Sequence, residues 1–209
     1  MNTTTGPILV VEDTPDTLQL VYVTLTFKGY HVVTARNGQE ALEAIQKERP
    51  ALIVTDVLMP HMDGFSLVHR LRINPETRKI PVIFLSATYV APEDKEFAAA
   101  IGVTRFIEKP IVISDLLKTV ADLLSRGAVP DSKPLDTRRF YEGYRARLET
   151  KLKQKVAQIA RTESMLETLS EEEKRSFKAS LQTAIDERDE IQLLLEQLRD
   201  LLNGEKKPR

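Results

Sequence analysis

Three short runs, ILVV at residues 8–11, LIVT at 52–55 and VIFL at 82–85, are apolar or β-branched at every position. A strand with one wet face alternates apolar with polar residues. A run without that alternation needs cover on both faces, as at the centre of a parallel sheet. Between the runs lie segments with apolar positions three and four apart, the spacing of an amphipathic helix. Strands are predicted in PILVV, YHVVTA, ALIVTD, IPVIFLS and TRFIE. Helices are predicted in PDTLQLVYVTLTFKG, NGQEALEAIQKE, DGFSLVHRLRIN, APEDKEFAAAIG and VISDLLKTVADLLSR. Strand and helix in alternation give an α/β fold, a doubly wound (βα)5 parallel sheet with helices on both faces, over residues 1–126.

The chain has 209 residues, 42% of them hydrophobic, enough for one full core and an appendage. Cysteine is absent, which excludes a disulfide framework and thiolate metal sites. No apolar run approaches the length of a membrane span, and MNTTTGP has neither a basic flank nor an apolar signal core. A cytoplasmic protein without a membrane partner is expected. Up to Gly127 there are 13 Lys and Arg against 15 Asp and Glu; beyond it there are 17 against 16. Neither part has the basic excess that a phosphate backbone attracts, so no DNA binding is expected.

Residues 127–135, with Gly127, Pro130, Ser132 and Pro134, read as a linker. From Asp136 to Asn203 there is no proline. Phe177, Leu181, Ala184, Ile191, Leu195, Leu198 and Leu202 follow a 4,3,4,3 spacing broken at Arg188, a heptad stripe that needs a partner helix. Tyr144, Leu148, Leu152, Val156, Ile159, Leu166 and Leu169 supply a less regular face, spaced 4,4,4 in one stretch. Ser170 followed by Glu173 resembles a capping box, so a second helix is expected to begin there. Limbs of equal length, 136–168 and 171–203, favour an antiparallel two-helix coiled-coil hairpin over one continuous helix dimerising in parallel. Residues 204–209 read as a disordered tail.

In open parallel sheets, ligands bind beyond the carboxyl ends of the strands. There the first strand offers Glu12 and Asp13, the third Asp56, the fourth Ser86 and the fifth Lys109. Clustered carboxylates repel one another unless a cation sits among them, and an all-oxygen set suits a hard ion such as Mg²⁺. Lys109 beside them suits an anionic group such as phosphate. Acidic residues also end strands without any such role; five suitably placed polar ends argue against that reading here.

The stretches ILVVEDTPD, LIVTDVLMPHMDG, FLSAT and FIEKP, in this order, resemble the response-regulator receiver domains of two-component signalling over residues 7–126. The resemblance implies a flavodoxin-like fold, Mg²⁺ as cofactor and a sensor histidine kinase or other phosphodonor as partner. It makes Asp56 the phosphoacceptor, and Glu12, Asp13, Asp56 and the Leu58 carbonyl the metal ligands. Ser86 and Lys109 would contact the phosphoryl group, Phe106 and Ser86 would form the switch, and Leu58 and Thr88 would tune the lifetime. The peptide before Pro110 is commonly cis in this family. Asn37 and Gly38, like Pro60 and Gly64, read as turn geometry alone. His31, His61 and His69 are scattered and read as surface or satisfied side chains.

The resemblance does not cover the tail. With no histidine after His69, the tail cannot relay phosphate through an imidazole. No separate catalytic domain is expected, although Gln154, Gln158 and Gln182 leave a helical phosphatase-type output as an alternative. The preferred output is oligomerisation, as a homodimer, or partner docking through the coiled coil. A constitutive dimeriser indifferent to phosphate is the competing reading.

Overall fold

The computed structural model describes residues 6–86, 92–126, 136–168 and 171–204. The chain divides into two compact units between Leu135 and Asp136. In the first, β1 (Ile8–Val11), α1 (Pro15–Phe27), β2 (Val32–Ala35), α2 (Gly38–Lys47) and β3 (Leu52–Asp56) are followed by α3 (Gly64–Ile73), β4 (Val82–Ser86), α4 (Pro92–Ala100), β5 (Arg105–Glu108) and α5 (Ile113–Arg126). The five strands pair in parallel in the order β2-β1-β3-β4-β5.

The three runs without alternation hold the three inner places. Every residue of β1 and β4 is buried, and so is β3 up to Asp56. Partial exposure otherwise falls on the edge strands β2 and β5. Val21 and Leu25 of α1 and Leu116 and Val120 of α5 close over Ile8, Val54 and Leu85 on one face. On the other, Phe65 of α3 meets Phe84 of β4 edge-on at 5.2 Å. Each such side chain contributes about 1.5–3 kcal/mol by leaving water, so the strand ends are held by a stiff core. The order reverses between β1 and β3, and the crevice at their carboxyl ends is where such sheets take ligands.

The second unit is α6 (Thr137–Thr168) and α7 (Glu171–Gly204). Asp136 caps α6, its carboxylate accepting from Arg139 N–H at 3.0 Å. Lys155 of α6 pairs with Glu187 of α7. These two residues stand at similar distances either side of the join, as an antiparallel hairpin requires. Tyr144, Leu148 and Ile159 on one limb and Ala184, Ile191 and Leu198 on the other are buried, as their spacing predicts.

Val156 departs from that pattern: it is 49% exposed, and Lys155 is half-buried in its place. Four residues overshoot a 3.6-residue turn by about 40°, so three successive steps of four carry a position roughly 120° round the helix. Phe177, placed on the stripe by its spacing, is 38% exposed. Arg188, where the stripe is broken, is half-buried, with its guanidinium 2.6 Å from the carboxylate of the neighbouring Asp189. The predicted cap at Ser170, the linker 127–135, Thr88 and residues 205–209 of the predicted tail lie outside the described residues; α7 itself extends to Gly204.

Candidate functional site

β1 delivers Glu12 and Asp13 just past its end, and β3 ends on Asp56. Glu12 is fully buried and Asp13 exposed. One carboxylate oxygen from each of Glu12, Asp13 and Asp56 lies within 4.8 Å of the others. Lys109, one residue beyond β5, places Nζ 2.8 Å from Glu12 Oε2 and 3.1 Å from Asp56 Oδ2. The other Asp56 oxygen accepts from Val57 N–H at 2.7 Å. Ser86, buried at the end of β4, accepts through its backbone carbonyl from Lys109 N–H at 2.7 Å. The Lys109–Pro110 peptide is cis.

Thus four of the five predicted strand-end groups, Glu12, Asp13, Asp56 and Lys109, meet through their side chains. Ser86 shares the sheet edge with them. Leu58 is half-buried in the loop after β3, and Phe106 is half-buried with its ring edge-on to Phe84 at 5.5 Å.

Burial pushes the Asp56 carboxyl up to about 6, helped by the charge of Glu12 and opposed by Lys109 and the Val57 N–H. Burial works against the Lys109 ammonium, but its hydrogen bond to Glu12 and the charges of Asp56 and Glu12 hold it above its ordinary value. Two carboxylates therefore compete for one ammonium, and the site carries surplus negative charge. A divalent cation meets that surplus. Mg²⁺ takes oxygen ligands, and three carboxylates with oxygens within 4.8 Å of one another supply ligands of that kind. The donor set, oxygen throughout, fits the ion.

Some contacts at the site were not legible in the residue pattern. The loop from Val57 to Asp63 is closed at its neck by Gly64 N–H donating to the Val57 carbonyl at 2.9 Å. A Cβ on Gly64 would stand 2.3 Å from the Asp56 carbonyl oxygen. At the far side of the loop, Gly38 N–H donates to the Met62 carbonyl at 2.9 Å. The sequence signal was present in glycine opening each of two helices, but it does not say what each glycine approaches.

A doubly wound five-stranded sheet with an acidic cluster and a lysine at its switch point defines a phosphoacceptor class of α/β domain. The family model described as the response regulator receiver domain matches residues 8–121, and the chain belongs to that family. The uncharacterized 14.6 kDa protein in the sodA1 3' region of Leptolyngbya boryana is 41% identical over 113 residues, covering 54% of this chain and 86% of that protein. The probable transcriptional regulatory protein TcrX of Mycobacterium tuberculosis is 33% identical over 122 residues, 58% of this chain, and the chain spans only 51% of it. The chemotaxis response regulator CheY4 of Vibrio cholerae superposes with a TM-score of 0.53 at 37% identity, covering 56% of this chain and 98% of that one. Residues 8–121 are thus the receiver domain of a two-component response regulator, a domain that takes a phosphoryl group on aspartate; α6 and α7 lie beyond the matched residues. Among the described residues no helix is long and apolar enough to cross a membrane.

Proposed function

We propose that Asp56 accepts a phosphoryl group from a sensor histidine kinase or other phosphodonor, and that the hairpin α6–α7 delivers the output. The observation that carries the first part is the Asp56 carboxylate held beside Glu12 and Asp13 with Lys109 Nζ at 3.1 Å. A carboxylate oxygen of Asp56 attacks phosphorus, the donor's leaving group departs in line, and an acyl phosphate results. The Lys109 ammonium meets charge on the transferred oxygens. Glu12, Asp13, Asp56 and the Leu58 carbonyl would hold Mg²⁺, which would supply positive charge against the phosphoryl oxygens. The Ser86 hydroxyl then turns to the phosphoryl group and Phe106 moves into the space beside it, a population shift driven by the charge on Asp56.

The test is acetyl phosphate with MgCl2, read by intact mass: one phosphoryl group added to the wild-type chain, and none without Mg²⁺. The same gain in mass for Asp56→Asn overturns the assignment. Lifetime is expected to depend on Leu58, whose apolar side chain offers no group to orient the hydrolytic water. Leu58→Asn should shorten the phosphoprotein's half-life severalfold, and an unchanged decay rate removes the role.

For the output, the Lys155–Glu187 pair between the limbs supports a hairpin whose register is set by charge as well as by apolar area, whereas Arg188 pairs with Asp189 on its own helix. Light scattering is expected to give a larger mass with a phosphoryl mimic and Mg²⁺ than for the free protein or Asp56→Asn. Equal masses in all three would favour a constitutive dimeriser or a different protein partner. Gln158 and Gln182 support a phosphatase-type output less well. Both are exposed, and they bond to Lys155 and Asp186 on their own helices.

A further inference from the structure

Each of the first amides of helix α2 has a partner. The first turn of any helix leaves N–H groups without intrahelical partners. Here the Asn37 side chain accepts from Gln39 N–H at 3.0 Å and Glu40 N–H at 2.9 Å. The amide of Gly38 is left for a partner outside the helix, and it donates to the Met62 carbonyl at 2.9 Å. Glycine is a poor helix residue, and Gly38 does not have a positive φ that would call for one. Close approach does call for it: a Cβ at residue 38 would stand 2.7 Å from Met62 Cγ and 2.8 Å from the Met62 carbonyl oxygen.

Met62 belongs to the loop that leaves Asp56. Its own N–H donates to the Pro60 carbonyl at 2.7 Å across His61, which sits at φ 65°, a left-handed conformation strained for a side chain. Such a turn persists only where its surroundings impose it. The loop is held at three points: the Gly64 amide at the neck, the fully buried Met59 side chain within it, and the Gly38 amide at the tip.

We propose that Gly38 is a positioning residue for the phosphoacceptor site. Its amide anchors the Met62 carbonyl and thereby sets the path of residues 57–62, including the Leu58 carbonyl. This rests on the reading of Glu12, Asp13, Asp56 and Leu58 as a Mg²⁺ site, and Gly38 itself touches neither metal nor phosphoryl group. Loss of a group hydrogen-bonded directly to a metal ligand typically weakens metal binding about 10–100-fold, and Gly38 acts one step further out, through Met62.

The experiment is calorimetric titration of the metal-free protein with MgCl2, beside urea unfolding of each variant. Gly38→Ala is expected to weaken Mg²⁺ binding about tenfold, at the lower end of that range. Gly29→Ala is the control: Gly29 has φ 85° and open space around it, so alanine there strains the backbone far from the loop. It should lower the urea midpoint and leave the Mg²⁺ Kd at the wild-type value. Asn37→Ala adds no atom near Met62 and loosens the same anchor, so it should weaken binding severalfold and decides the matter if Gly38→Ala does not fold. Wild-type Kd values in the folded Gly38 and Asn37 variants overturn the positioning role alone. A wild-type protein that does not bind Mg²⁺ overturns the metal reading and the role together.

Discussion

Asp56→Asn is expected to abolish phosphorylation and, in metal-free buffer at neutral pH, to stabilise the fold. The first effect removes the only proposed nucleophile. The second follows from the raised carboxyl: the folded chain holds the Asp56 proton up to about pH 6, whereas the ordinary value is 3.8. Between these values the folded state binds more protons than the unfolded state, so stability falls as pH rises through the window. At about 1.4 kcal/mol per unit, the full cost above pH 6 is on the order of 2–3 kcal/mol.

Asparagine carries no charge to bury beside Glu12, so it escapes that cost. Urea unfolding of both proteins should therefore coincide below about pH 4, separate as pH rises, and hold a constant gap above about pH 6–7. Added Mg²⁺ should narrow the gap, because the wild-type carboxylate gains a partner that the amide does not. A gap that is constant from pH 3 to 8, or of opposite sign, would show that Asp56 is not the strained charge of this site.

The same residues show what could and could not be read along the chain. Runs such as ILVV and VIFL predict central strands because burial on both faces acts on each residue separately. The meeting of Glu12, Asp13, Asp56 and Lys109 was legible because strand ends in such a sheet share one edge, whatever the side-chain details; Ser86 shares that edge. Lys155 and Val156 were not legible. On a helix with mixed 3 and 4 spacing, which of two neighbours faces the partner depends on accumulated rotation over several turns. Gly38 was read as turn geometry because nothing local reveals that Met62 lies against it, twenty-four residues further on. The competition of two carboxylates for Lys109 was equally hidden, since it is set by through-space distances and depth of burial.

Lys109→Met should be the most destabilising change at the site and the one most sensitive to metal. Lys109 Nζ is the cation hydrogen-bonded to the fully buried Glu12, and it also sits within reach of Asp56. Methionine preserves much of the aliphatic stem and leaves Glu12 facing Asp56 without compensation. Breaking a buried pair in this way costs about 3–5 kcal/mol. With the lysine side chain 24% exposed, water screens part of that, and about 2–4 kcal/mol is expected. Asp56 loses the charge that holds its carboxyl down, so its proton affinity rises further and the loss grows with pH. Combining Lys109→Met with Asp56→Asn removes one of the two repelling charges, so the double variant should be clearly more stable than the sum of the single effects. Urea midpoints in metal-free buffer for the four proteins give that coupling directly. Saturating MgCl2 should recover much of the Lys109→Met loss, because a divalent cation among Glu12, Asp13 and Asp56 supplies the missing positive charge. Phosphorylation by acetyl phosphate should stay strongly impaired even then, because a bound cation meets the carboxylates but does not replace the ammonium that faces the transferred phosphoryl oxygens. Additive effects, or a midpoint unmoved by Lys109→Met, would show that Lys109 and Asp56 act independently and that the carboxylates are already compensated by solvent.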